Sequence, residues 1–93
     1  MKRQGDLFFT QTTSKEGRLD RSGVILRGES TGHSHKLTSG KLYRSKESMF
    51  VVSDGKTKVV HEEHNSISLG KGIWLVRRQR EYMSKDMVRV VVD

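Results

Sequence analysis

The fold is decided by the stretch "SMFVVSDGKTKVV", residues 48–60. Two short runs rich in valine flank a polar segment that contains Asp54 and Gly55. β-Branched and aromatic residues favour strands, and an Asp-Gly pair suits the tight turn of a β-hairpin. The stretch therefore predicts two neighbouring strands, at 48–53 and 57–63, joined by a turn at 53–56.

The same pattern extends in both directions from this stretch. Nine glycines and no proline separate short apolar runs rich in Val, Ile, Phe and Thr. These runs predict further strands at 6–12, 23–29, 33–38, 41–44, 66–69 and 73–82, with a polar loop at 14–23 and a second hairpin turn at 69–72. The end of the chain, "YMSKDMVRVVVD", fits either a closing strand or a short helix. We expect an all-β fold, a small closed or partly closed antiparallel barrel or a sandwich of about 6–8 short strands.

Length and composition limit the class of protein. Ninety-three residues predict a single domain, 1–93, and a hydrophobic content of 32% predicts a thin core. Assembly into a homo-oligomer or a bound ligand would add stability to such a core. The sequence has no cysteine, which excludes disulfide bonds and thiolate zinc sites. No apolar run approaches the length of a membrane span, so we expect no membrane association and a cytoplasmic location.

The charge of the chain is strongly positive. Eighteen Lys and Arg residues against eleven Asp and Glu residues give a net charge of +7, and most of the excess lies in residues 1–46. A positive field attracts polyanions, of which RNA and DNA are the commonest in a cell. Basic composition also occurs in small proteins that bind no nucleic acid, so the charge indicates a partner class without establishing it.

A basic and aromatic strand is predicted at "IWLVRRQREY", residues 73–82. Arginines bracketed by Trp and Tyr can stack on unpaired bases and contact phosphates. The nucleic-acid-binding residues predicted from this strand and from other basic positions are Lys36, Lys41, Arg44, Arg77, Arg78, Arg80 and Tyr82. The alternative is that Trp74 fills the core and the arginines pair with neighbouring glutamates.

All four histidines of the chain fall in two short motifs, "GHSH" at 32–35 and "HEEH" at 61–64. Side chains alternate along a strand, so His33 and His35 are expected on one face. His61 and His64 would face opposite sides of a regular strand, and they converge only if this segment contains a bulge or begins a loop.

Two chemistries suit such a set of imidazoles. Together with Glu63 or Glu62, they could ligate a divalent transition metal such as Zn, Fe, Mn or Ni; the predicted metal ligands are His33, His35, His61, His64 and Glu63. Without a metal, the same four histidines are candidate catalytic residues that exchange protons with an RNA 2′-hydroxyl and a leaving oxygen. A third interpretation is that each pair only makes local hydrogen bonds. The sequence leaves open whether the protein is an enzyme.

Two resemblances follow from these motifs. "GHSH" with the later "HEEHN" resembles the cupin signature, which has an H-x-H strand and a later H-x-x-x-N; this resemblance implies a β-barrel that binds metal. The glutamate and the proline of that signature have no counterpart here. "GESTGHSHKL", "HEEHN" and "RQREY" are similar to segments of a group of short, uncharacterised bacterial and phage proteins. That resemblance covers residues 24–93 and implies no activity.

The leading hypothesis is a small basic β-protein that binds RNA or another phosphate-rich ligand, with the four histidines at or near the bound face. The alternatives are a metal-binding barrel, a metal-independent ribonuclease, and an oligomeric adaptor or phage regulator whose interface responds to pH through histidine.

Overall fold

A computed structural model describes residues 1–28, 32–46 and 48–78 of the chain. Short extended segments punctuated by glycine form ten strands here, and the all-β prediction is confirmed. The strands are β1 Lys2–Gln4, β2 Leu7–Thr12, β3 Arg18–Asp20, β4 Val24–Arg27, β5 Ser34–Leu37, β6 Lys41–Arg44, β7 Met49–Ser53, β8 Thr57–Val60, β9 Ile67–Leu69 and β10 Gly72–Arg78. No helix in these residues is long and apolar enough to cross a membrane.

The strands form two antiparallel sheets. The larger sheet has six strands in the order β1-β2-β10-β7-β6-β3, and the smaller has four in the order β4-β5-β8-β9. Among the described strands, the last strand of each sheet does not pair with the first. The fold is therefore a sandwich-like pair of open sheets, and a closed barrel, the other architecture expected, is not formed.

The hairpin predicted at 48–60 is wrong, because its two strands belong to different sheets. β7 pairs with β6 and β10 in the larger sheet, whereas β8 pairs with β5 and β9 in the smaller one. The Asp-Gly turn is a corner between the sheets, in which Gly55 has a φ of 97° and the Asp54 carboxylate accepts the Lys56 amide at 2.8 Å. The turn at 69–72 likewise connects β9 to β10 and carries the chain from one sheet to the other.

Other predicted boundaries also differ. β1 was not expected, and β3 lies inside the segment 14–23 that was predicted to be a polar loop. β8 ends at Val60, three residues before the predicted end at 63. The segment "HEEH" therefore lies outside the strand, and its side chains need not alternate between the two faces of a sheet. The predicted C-terminal strand or helix, together with Arg80 and Tyr82, lies outside the described residues.

The core lies between the two sheets. Alternate residues of the strands point inward and are almost completely buried: Leu7, Phe9, Ile25, Leu42, Val51, Val59, Leu69, Trp74 and Val76. Each such side chain contributes on the order of 1.5–3 kcal/mol by its removal from water. The position of Trp74 in the core agrees with the interpretation that this side chain fills the core instead of stacking on a base.

Polar side chains of the larger sheet also bond to the main chain of the smaller one. These inter-sheet bonds run from Gln4 Nε2 to Val59 O (2.8 Å), from Ser53 Oγ to Leu69 O (2.8 Å), and from the Arg44 guanidinium to Val24 O and to Ile25 O, the last at 2.8 Å. All three donors belong to the larger sheet, and every acceptor is a main-chain carbonyl of the smaller sheet. The sheets are therefore joined by directional bonds as well as by apolar packing.

Candidate functional site

The outer face of the six-stranded sheet, the side turned away from the core, carries a cross-strand row of three residues. Arg3, Phe8 and Arg77 are register partners on β1, β2 and β10. The guanidinium carbon of Arg3 lies 5.2 Å from the centroid of the Phe8 ring, within cation–π range. An aromatic ring is therefore flanked on this face by two arginines.

The next row on the outer face is largely apolar. Thr10, Leu75, Phe50 and Tyr43 follow one another across β2, β10, β7 and β6. Leu75 and Tyr43 are partly exposed, and Phe50 is 8% exposed. This row therefore adds the partly exposed side chains of Leu75 and Tyr43 to the outer face beside Phe8.

A shallow cavity of about 370 Å³ opens between the two rows. It is lined by Met1, Phe8, Thr10, Leu75 and Arg77. The apolar side chains of Phe8 and Leu75 alternate with the polar side chains of Thr10 and Arg77 across β2 and β10. The lining of the cavity therefore combines apolar side chains with a hydroxyl and an arginine.

Every charged residue that the register places on the outer face of the described strands is basic. Lys41 belongs to the third row, opposite Val52. At the far side, the ammonium of Lys15 lies 4.1 Å from the centroid of the Tyr43 ring. The outer face thus combines aromatic side chains with positive charge.

The basic residues predicted to contact nucleic acid do not share one surface. Arg77 and Lys41 are exposed on the outer face. Lys36 is exposed on β5, in the other sheet. Arg78 faces the interior, where its Nε lies 3.7 Å from Asp6 Oδ2.

Arg44 also faces the interior of the sandwich. Its Nε donates to Asp20 Oδ2 at 2.6 Å, and its Nη2 donates to the main-chain carbonyls of Val24 and Ile25 on β4. The bond from Arg44 holds the pKa of the Asp20 carboxyl at about 2. This guanidinium is engaged in joining the two sheets, so we do not include Arg44 in the outer face.

The four histidines form a second feature, which we call the imidazole group. The ring centroids lie 4.4 Å apart for His35 and His61, 4.6 Å for His61 and His64, 5.6 Å for His33 and His61, and 6.1 Å for His35 and His64. His61 and His64 follow the end of β8, so they approach His33 and His35 from a loop. A loop at this position is one of the two conditions under which the sequence predicts that His61 and His64 converge.

His35 is held in one orientation by Gln4. Both amide hydrogens of Gln4 are used, since Nε2 donates to Val59 O at 2.8 Å and to Asn65 O at 2.9 Å. Gln4 Oε1 lies 2.8 Å from His35 Nδ1, and an amide oxygen can only accept. His35 is therefore protonated at Nδ1, and the lone pair of its neutral form is on Nε2.

The environment keeps this ring neutral. Burial lowers the pKa of His35 to about 4, with a further contribution from repulsion by His61 and His64. Burial also lowers the pKa of His61, whose Nδ1 accepts the Glu63 amide at 3.0 Å. The group therefore contains at least two uncharged imidazoles at neutral pH.

The two glutamates of "HEEH" differ in their contacts. Glu62 Oε1 accepts the main-chain amide of Ser34 at 3.0 Å, which lowers the pKa of this carboxyl. Glu63 Oε1 lies 3.5 Å from His33 Nδ1. Within the described residues, no group of three or more His, Cys, Asp or Glu side chains is arranged to hold a metal ion. The predicted metal and catalytic roles of the histidines stay predictions.

Sequence reasoning missed Gln4 and Phe8. Neither lies in a motif, and the strand β1 that brings them next to His35 and Arg3 was not predicted. Alternation from the buried Leu7 and Phe9 would have placed Phe8 on the outer face. No local signal indicates the contact between Gln4 and His35, which joins residues 31 positions apart.

Comparison with known proteins identifies a family. A family model described as a domain of unknown function, DUF8820, matches residues 3–79. No curated protein and no solved structure matches the chain. The family match agrees with the resemblance to uncharacterised proteins and gives no support to the cupin resemblance. Since the matched region covers most of the sequence, the chain belongs to the DUF8820 family.

Proposed function

We propose that this protein binds single-stranded nucleic acid on the outer face of its six-stranded sheet. The observation that carries the proposal is the row Arg3–Phe8–Arg77, in which the register places Phe8 between two arginines and the Arg3 guanidinium lies over its ring. Small β-folds bind single strands by stacking bases on aromatic side chains while basic side chains contact the backbone.

The shape of this surface favours a single strand over a duplex. In a duplex the flat faces of the bases are stacked on one another and are inaccessible to protein side chains. In a single strand those faces are open and can lie on Phe8 or in the cavity beside it. The outer face offers a broad sheet surface, whereas duplex reading in the major groove uses a helix or a two-stranded ribbon.

The charges support the same ligand class. Arg77 and Lys41 are exposed, and the chain as a whole carries +7. Binding of this kind releases counterions, so the logarithm of the association constant falls linearly with the logarithm of salt concentration. For single strands the slope is about 0.7 per phosphate contact.

The test is a fluorescence anisotropy titration with labelled oligonucleotides of about ten nucleotides, within the site sizes seen for small β-folds. RNA, single-stranded DNA and a DNA duplex form three separate arms. Each arm is measured over a series of salt concentrations with the wild type, Arg77→Ala and Arg27→Ala. Arg27 is the matched control, because it is an exposed arginine on β4 of the other sheet.

We expect binding in the single-strand arms, weakened about tenfold by Arg77→Ala and changed less than twofold by Arg27→Ala. The salt slope should decrease by about 0.7 in the Arg77 variant. Binding that is insensitive to salt would contradict the proposal, as would equal losses in the two variants. Tighter binding to the duplex than to either single strand would show that the ligand class is wrong.

A further inference from the structure

The cavity on the outer face has the size and chemistry of a site for one nucleotide. Its volume of about 370 Å³ lies at the lower end of the range for small-molecule sites, roughly 300–1,000 Å³. A space of this size suits a single planar ring system with one attached group. It is too small to enclose several residues of a polymer.

The floor of the cavity is suited to a flat apolar face. Phe8 and Leu75 are diagonal neighbours on β2 and β10, and both are partly exposed. Met1, which is 80% exposed, also lines the cavity. A ring laid on this floor would contact an aromatic side chain, an aliphatic one and a thioether, all of which are favourable partners for a π-system.

The polar groups of the cavity lie on the other diagonal. The Thr10 hydroxyl can donate to or accept from the edge of a base, and the Arg77 guanidinium can bind a phosphate with two hydrogen bonds. Arg77 is exposed, and Phe8 separates it from Arg3 in the cross-strand row. A ligand with a planar ring and a phosphate matches both halves of this lining.

We infer that this cavity is a nucleotide subsite, in which one unstacked base lies on Phe8 and Leu75 and its phosphate contacts Arg77. The inference rests on the proposed function and deepens it, because it assigns one nucleotide of the bound strand to a defined position. The inference can be tested without a polymer, since a free mononucleotide should occupy the same cavity.

The experiment is a titration of the full chain with four nucleoside monophosphates, followed by the NMR signals of the Leu75 methyl groups and the Phe8 ring. Adenosine without phosphate and inorganic phosphate without base are titrated in parallel. Thr10→Leu fills the cavity with a larger apolar side chain. Thr12→Leu is its matched control, because Thr12 lies two residues further along the same face of β2, outside the cavity.

We expect each monophosphate to shift the Leu75 and Phe8 signals saturably. Adenosine should bind about tenfold more weakly, since it lacks the contact with Arg77. Thr10→Leu should weaken monophosphate binding about tenfold, and Thr12→Leu should leave it within twofold of the wild type. Folding of both variants is checked by the emission of Trp74, which is buried in the core.

The outcomes separate this inference from the proposed function. If oligonucleotides bind but no monophosphate shifts Leu75, the subsite is wrong and the binding surface stands. If monophosphates bind while oligonucleotides do not, the subsite stands and the proposed function is wrong. Shifts of Leu75 with inorganic phosphate equal to those with a nucleotide would overturn the inference, because the cavity would then be only an anion site.

Discussion

Gln4 Oε1 and His35 Nδ1 lie 2.8 Å apart in the interior, and this contact connects the two sheets across the imidazole group. Gln4 is on the edge strand β1 of the larger sheet, and His35 is on β5 of the smaller one. The same glutamine fixes the main chain at Val59 and Asn65, on either side of the loop that holds His61 and His64. The side-chain amide of Gln4 thus connects β1, β5 and the two ends of the loop that holds His61 and His64.

Replacement of Gln4 by leucine should destabilise the protein by about 1–3 kcal/mol. Leucine has a similar size but is apolar, so it leaves two carbonyls and the His35 Nδ1–H without their partner. Unpaired buried polar groups are costly. The free energy of unfolding is measured in urea by the fluorescence of Trp74, the only tryptophan. Gln11→Leu, at an exposed position of β2, is the control and should change stability by less than about 0.5 kcal/mol. Equal losses in both variants would contradict the role given to Gln4.

The stability of the fold should decrease as the pH falls from about 6.5 to about 4. His35 has its ordinary pKa of 6.5 in the unfolded chain and about 4 in the folded one, so in this window the unfolded chain binds a proton that the folded protein excludes. The loss for this one group is on the order of 1–2 kcal/mol after allowance for solvent screening. His61, whose pKa is also lowered, adds to it in the same direction.

Urea unfolding at a series of pH values measures this loss, and His35→Gln tests its origin. Glutamine keeps a donor for Gln4 Oε1 but does not titrate, so the variant should lose less stability than the wild type between pH 6.5 and 4. A variant with the same pH dependence as the wild type would exclude His35 as the cause. Below about pH 3.8 a separate loss begins, because the Asp20 carboxyl with its pKa of about 2 becomes protonated in the unfolded chain first.

Arg44→Ala should destabilise the protein by about 1–2 kcal/mol, because it removes an ion pair together with two bonds between the sheets. Arg44→Lys should recover only part of this loss, since an ammonium cannot reproduce the planar fork that reaches Asp20 and the carbonyls of β4 together. Urea unfolding again measures the effect. The control is Arg18→Ala, an exposed arginine that is the register partner of Arg44 on β3. Full recovery with lysine would show that charge alone matters at this position.

Gly5→Ala should disturb the imidazole group and lower the free energy of unfolding by about 1 kcal/mol or more. Gly5 has a φ of 55°, a left-handed conformation that disfavours residues with a side chain, and an added Cβ would lie 2.6 Å from His64 Nε2. We therefore expect the NMR signals of the His64 ring to shift as the side chain moves away. Gly70→Ala is the control, because Gly70 has no atom within 4 Å of an added Cβ. Unchanged His64 signals in Gly5→Ala would contradict the packing described for this turn.

The sequence predicted the strands well and their pairing poorly. Apolar runs such as "MFVV" located β7, and the Asp-Gly turn after it was correctly placed. The error was to treat a turn signal as a hairpin signal. A sandwich also needs sharp turns where the chain passes from one sheet to the other, and the local conformation of Asp54 and Gly55 does not distinguish these cases.

For the candidate site, sequence reasoning identified residue types and missed their surroundings. Arg77 and Lys41 were correctly predicted to be strand residues, but only the register of β10 with β2 places Arg77 beside Phe8. Arg44 was indistinguishable from a surface arginine, because its partners lie on β3 and β4. Such contacts depend on sheet order, which no local pattern of residues encodes.

The inter-sheet bonds also bear on how the DUF8820 family can vary. In the bonds that Gln4, Arg44 and Ser53 donate to the smaller sheet, every acceptor is a main-chain carbonyl, so replacing the side chain of Val24, Val59 or Leu69 leaves the acceptor in place. The donors have no such freedom, because each bond depends on one particular side chain. We therefore expect substitutions in diverging relatives to be tolerated unequally. The acceptor positions should exchange freely among apolar residues. The positions of Gln4, Arg44 and Ser53 should stay restricted to side chains that can donate a hydrogen bond.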